Sequence, residues 1–194
     1  MSARLLVPVL SLFCLATACN QLPKRRGESV VPGSSSTLEQ RSPIEVAVAP
    51  ISDSSGNAEL PRGDLRRAFQ AALLERRYTP ISLDLVDSKV VDAAYRPGSL
   101  DENAVLLVDV QRWDTHLWDT RDVIEVTIQA RMVDPSSPSS NLWSGVLEKR
   151  FDFSNSGDLY STSSALWRHA CQTIASELLE AMPARQPVPG RATP

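Results

Sequence analysis

The chain has 194 residues, with 20 basic against 23 acidic side chains and a formal charge of −3. That balance offers no broad basic face and argues against nucleic acid as a partner. Of its three cysteines, Cys14 and Cys19 sit in or at the end of an N-terminal apolar run, so Cys171 alone lies in the body and an intradomain disulfide is excluded.

Met1 to Arg4 form a short positive segment, and Leu5 to Thr17 form an apolar run. A membrane-crossing helix needs roughly 20 apolar residues, so the shorter run reads as a leader over 1–18. Leu15-Ala-Thr-Ala-Cys19 resembles a bacterial lipobox, in which the cysteine receives a diacylglycerol and becomes the acylated first residue. Two or three acyl chains, at about 0.8 kcal/mol per buried CH₂, give lasting attachment where one chain gives marginal binding. Ala16-Thr17-Ala18 also satisfies an ordinary A-x-A cleavage site, in which case the product is a soluble periplasmic protein. Asn20 stands where inner-membrane retention in lipoprotein families usually has Asp, and by that resemblance the destination is the periplasmic face of the outer membrane.

Residues 19–43 contain Pro23, Pro32, Gly33 and Ser34 to Ser36 with almost no apolar period, and read as a lipidated cysteine followed by a flexible tether. The folded domain is expected over 44–183. Ile44 to Pro50 is a first strand, stopped by Pro50. Asp64 caps a helix whose Leu65, Phe69, Ala72 and Leu73 form one stripe, ending at Arg76-Arg77. Ile81 to Asp84 reads as a short strand and Leu85 to Ala94 as a weak helix before Pro97-Gly98.

Ala104-Val-Leu-Leu-Val-Asp-Val110 is a near-continuous apolar run, the pattern of a central strand buried on both faces, and it runs on through Trp113. Ile124, Val126, Ile128, Ala130 and Met132 then alternate with polar residues, as on an antiparallel strand with one wet face. Asp134 to Asn141 is a turn-rich connection, and Trp143, Gly145, Leu147, Phe151 and Phe153 share a face of the partner strand. Thr162 or Ser163 opens a last helix with Trp167, Cys171, Ile174 and Leu178 on one stripe, and the proline-rich tail 184–194 carries no pattern. The expected fold class is α/β in the α+β sense. It is a mixed β-sheet of about five strands with helices packed on it, parallel in its first half and an antiparallel meander in its second.

The stretch Asn103 to Thr115, the strand to Asp134 and Asn141-Leu-Trp-Ser-Gly145 together resemble a family of bacterial outer-membrane lipoproteins typified by a neisserial surface antigen, over roughly Ile44 to Pro183. The resemblance implies a fold similar to the N-terminal domain of the Tol translocation protein and to the lipoproteins of curli-secretion and exopolysaccharide-export rings. Those relatives are parts of assemblies and not enzymes. The Pro/Ser-rich turn at 134–141 departs from the tighter turn expected there.

The common catalytic and nucleotide-binding signatures are absent, and the chain has only His116 and His169, so neither a metal nor another cofactor is expected. Four groups are weighed as sites. Cys19 is the lipidation site. Trp113, Leu117 and Trp118 stand at a hairpin end, where aromatic groups make either core or a partner-binding surface. Asp53-Ser-Ser-Gly56 after Pro50 and the turn around His116 offer the loops of a ligand-binding protein or enzyme. Cys171 holds a core position as an inert thiol. The function that follows is a non-enzymatic lipoprotein, anchored to the membrane, contacting other envelope proteins and self-associating as a homo-oligomer in a secretion, export or trafficking complex. A regulator of a cell-wall synthase would share the same anchor and tether.

Overall fold

A computed structural model describes residues 29–32, 36–91, 94–156, 160 and 162–186. Its centre is a seven-stranded mixed sheet. The long strands are β7 (Ala104–Asp114), β8 (Val123–Asp134) and β9 (Ser137–Asp152), which form an antiparallel meander. On the other side of β7 lie β2 (Glu45–Val48), β3 (Ser52–Asp53) and, next to β2, β4 (Thr79–Pro80), all in parallel pairing. The expected parallel first half and antiparallel second half are therefore both present. Pro50 interrupts the first strand without ending it, because β3 resumes pairing with β7 two residues later.

Two helices cover one face. Helix α2 (Arg62–Glu75) buries Leu65, Phe69, Ala72 and Leu73, and α5 (Ser163–Glu180) buries Cys171, Ile174 and Leu178. Helix α2 opens one turn earlier than the acidic residue suggested, with Pro61 at the cap position; Asp64 sits inside the first turn, paired to Arg67 at 2.7 Å. Thr162 caps α5, its hydroxyl accepting from the Ala165 N–H. At the end of α5 the carbonyls of Leu179 and Glu180 accept from the Arg76 guanidinium, that of Leu179 also from the Met182 N–H. Gly145 is required by this packing. A β-carbon there would lie 2.7 Å from the Trp143 ring, which is fully buried against the helices.

The opposite face is only partly covered. Ala47, Ala49, Val105 and Val133 lie under Val86 and Tyr95, which belong to helix α3 (Leu83–Asp87) and the hairpin β5 (Val90–Val91) with β6 (Ala94–Tyr95). The expected strand at Ile81–Asp84 and helix at Leu85–Ala94 are thus corrected to a single helical turn and a hairpin: the β-branched Val90-Val91 pair suits a strand, and the run is too short to hold a helix by itself. Arg66, 8% exposed, ties these layers, donating twice to the Val48 carbonyl and pairing with Asp87. Beyond this cover, Leu107 and Asp109 are half-wet, so β7 is buried on both faces only over its first residues.

Structure begins earlier than the tether reading places it. Strand β1 (Ser29–Pro32) pairs antiparallel with β9, and helix α1 (Ser36–Arg41) packs on β9 with Leu38 1% exposed in the main core. Arg41 pairs with Asp134, which also accepts from the Ser136 N–H and hydroxyl. The correction has a plain cause: β9 is a sheet edge with unpaired backbone groups, and the N-terminal segment satisfies them. The connection at 134–141 is likewise shorter than expected, Pro135-Ser136 alone joining β8 to β9, with register shifts after Met132 accommodating the extra residues. Residues 1–28, with the leader and Cys19, and residues 187–194 of the tail lie outside the described residues.

Candidate functional site

The three residues read as a partner-binding group sit where β7 ends and α4 (Trp118–Arg121) begins. A bulge places Trp113 inward. Val110 pairs with Ile128, but the next pairs are Arg112 with Thr127 and Trp113 with Val126, so the extra residue turns Trp113 to the helix side. Trp113 is 3% exposed and Trp118 6%; Leu117 is half-buried. Trp118 stacks on Trp167 of α5 with ring centroids 3.9 Å apart and meets Phe153 edge-on at 6.1 Å, while Trp113 lies 6.0 Å from Trp167. Of the two readings of this group, core or contact surface, both indoles take the core position: they pack within the chain's own core, because burying each ring against other rings gains more than leaving it in water. His169 extends the cluster as a half-buried ring, stacked on Tyr160 at 4.7 Å and edge-on to Phe153.

The two loops named as a ligand-binding alternative meet. Ser55, Gly56 and Asn57 from the segment after β3 line one open cleft of about 490 Å³ with Gln111 to His116 at the end of β7. Hydrogen bonds hold the loops together: Asn57 Nδ2 donates to the Trp113 carbonyl at 2.8 Å, and the Ser54 N–H donates to Val110 at 2.9 Å. The Asp53 carboxylate accepts from the Ser55 N–H, the Ser55 hydroxyl and the Gly56 N–H, and pairs with Arg62. Gly56 adopts φ 71°, which glycine reaches without strain.

Within this cleft His116 Nδ1 lies 2.6 Å from Asp114 Oδ1, and Arg112 bridges Asp114 and Glu125 at 2.9 and 2.6 Å. The Arg112 guanidinium, then the His116 contacts, hold the Asp114 carboxyl well below the usual carboxylate range. The pair orients an imidazole, the geometry of a general base. The Ser55 hydroxyl across the cleft is not primed by it as a nucleophile: it donates to Asp53 at 2.6 Å. Among the described residues no group of three His, Cys, Asp or Glu side chains could hold a metal ion. Cys171 is fully buried, and burial pushes its thiol up to about 12, so it is no nucleophile at neutral pH.

Asp114 supplies a pH-dependent element. Its folded pKa lies below the unfolded value near 3.9, so its contribution is present above about pH 4 and is lost as pH falls through the folded value. Asp114→Asn is expected to cost under about 1 kcal/mol at pH 7, as for other partly exposed pairs, and to lose less stability than the native chain on going to pH 3. Urea midpoints at the two pH values measure this, and parallel losses in both proteins would remove Asp114 as a contributor.

No family model and no curated protein matches the chain. Among solved structures it is similar to the PelC dodecamer from Paraburkholderia phytofirmans, with a TM-score of 0.54 and 16% identity over 82% of this chain and 100% of that one. A variant of the same PelC protein gives a TM-score of 0.52 at 15% identity with equal coverage. The likeness is one of fold. Lipoprotein GNA1162 from Neisseria meningitidis, a neisserial lipoprotein as the resemblance named, matches 68% of this chain and 96% of its own at 23% identity and a TM-score of 0.47. Cys19 falls outside the described residues, and no helix among those described is long and apolar enough to cross a membrane.

Proposed function

We propose that the protein is a non-enzymatic, lipid-anchored component of a cell-envelope assembly, attached through Cys19 to the periplasmic face of the outer membrane and self-associated as a homo-oligomer. The observation that carries this reading is the whole-domain likeness to a PelC chain that forms a dodecamer. The lipobox-like Leu15 to Cys19 supports the anchor. A PelC-like ring would use heterologous contacts between copies, so that one surface of each chain meets a different surface of the next.

Two measurements test it on the full chain extracted from bacterial membranes. Light scattering on the detergent-solubilised protein is expected to give a mass of several protomers, and monomer alone at high concentration would overturn self-association. Intact mass is expected to exceed the peptide mass by a lipid adduct that Cys19→Ala abolishes; a native mass equal to the peptide would overturn the anchor and leave a soluble periplasmic protein.

The cleft shared by Ser55 and His116 favours a second reading, a ligand-binding protein or enzyme, because the structure joins the two loops that this alternative requires. His116→Ala separates the two: loss of envelope function with the oligomer and anchor intact would favour the cleft.

A further inference from the structure

The place of β1 limits how the domain could stand on a membrane to which Cys19 anchors it. Strand β1 is antiparallel to β9, with Ser29 opposite Glu148 and Pro32 opposite Gly145, so the chain enters β1 from the side on which β9 runs out to Asp152. That is the end of the sheet where β7 finishes at Asp114 and β8 starts at Val123. Nine residues, 20–28, separate Cys19 from Ser29. Ten Cα steps reach at most about 35 Å when straight.

The opposite end of the sheet, at Pro135-Ser136, is set back from Glu148 by more than ten residues of β9, or roughly 35 Å at strand rise. Bringing that turn to the bilayer would need the connection fully straight and laid back along the sheet. The Asp152 end lies only four residues of β9 from Glu148, roughly 14 Å, well inside that reach. Lys24, Arg25 and Arg26 fall inside the same nine residues, and each basic group near an anionic leaflet adds about 1 kcal/mol of attraction, which shortens the working distance further.

We infer that the end of the domain carrying Asp114, the α4 turn and Asp152 faces the phospholipid surface, held there by a short leash, while the β8–β9 turn points away from it. This inference rests on lipidation of Cys19, as proposed above. It also bears on the cleft of Ser55 and His116, which lies at the membrane-facing end; ligands or partners reach it from the bilayer side.

The test uses full-length lipidated protein in phosphatidylethanolamine/phosphatidylglycerol vesicles carrying a headgroup-attached acceptor dye. Asn155→Cys marks the near end and Ser139→Cys the far end; both positions are exposed, and Cys171 is fully buried and escapes the label. Energy transfer from position 155 is expected to exceed that from 139 by about two-fold or more, and a ten-residue Gly/Ser insertion after Glu28 is expected to erase the difference. Equal or reversed transfer in protein whose intact mass carries the lipid adduct would overturn the orientation. A difference that survives the insertion would overturn the leash as its cause. A mass without the adduct would instead overturn the anchor on which the inference rests.

Discussion

Replacing Trp118 by alanine is expected to lower stability by about 3–5 kcal/mol, the range for emptying a buried aromatic site. For a domain of this size that is a fall in melting temperature of about 10 °C or more. The indole is 6% exposed, stacks at 3.9 Å on Trp167 and meets Phe153 edge-on, so its loss opens a cavity between α4, α5 and the end of β9. Trp113 and Trp167 cannot close that space without leaving their own contacts, which are ring to ring. Leu117→Ala, at a half-buried site, is expected to cost much less. Thermal melts of both variants decide the matter: a Trp118→Ala protein that melts like the native chain but fails to assemble would return the indole to a partner surface.

The second large effect concerns the N-terminal segment. Leu38→Ala is expected to cost about 2–4 kcal/mol, because Leu38 is 1% exposed in the main core. A chain cut to start at Ile44 is expected to aggregate. It loses Leu38 and the Arg41 pairing with Asp134, and it bares the edge of β9 that β1 and α1 cover, an unpaired strand edge of the kind that templates association. Denaturant melts and light scattering on the two proteins provide the measure. If 19–43 were only a tether, both changes would be silent.

The start of β1 bears on the anchor proposed above. With Cys19 lipidated, a tether of 25 residues would let the domain sample a wide shell above the bilayer, whereas a β1 that starts ten residues after Cys19 would confine it. A ring of such chains would then sit close to the membrane with all its protomers in one orientation, as a closed cyclic assembly requires.

Much of the architecture was legible in local pattern. The stripes Leu65-Phe69-Ala72-Leu73 and Trp167-Cys171-Ile174-Leu178 recur at helical spacing, and all but the half-buried Trp167 are buried. The alternation from Ile124 to Met132 matches a strand with one wet face. Periodicity reports which face of an element is apolar, and for long elements that suffices to name them. The inert thiol at Cys171 was legible for the same reason, since its place on the stripe implies burial and burial raises its pKa.

What periodicity does not report is what covers a face, or which residue a bulge displaces. The two-sided burial of β7 stops where α3 and the β5–β6 hairpin stop, and both depend on contacts made across the sheet. Trp113 faces the helices because the register slips between Val110 and Arg112, a property of the β7–β8 pair and not of either strand alone. The N-terminal segment, rich in Pro, Gly and Ser, has too little apolar character to fold by itself; it takes structure because β9 presents an open edge and the core has room for Leu38. The sequence by itself thus determined the class of the domain, its principal elements and the motif that would anchor it. The tertiary structure decided where the indoles point, which loops meet and that pairing with β9 begins as early as Ser29, because each depends on residues distant in the chain satisfying one another's apolar surface and backbone hydrogen bonds.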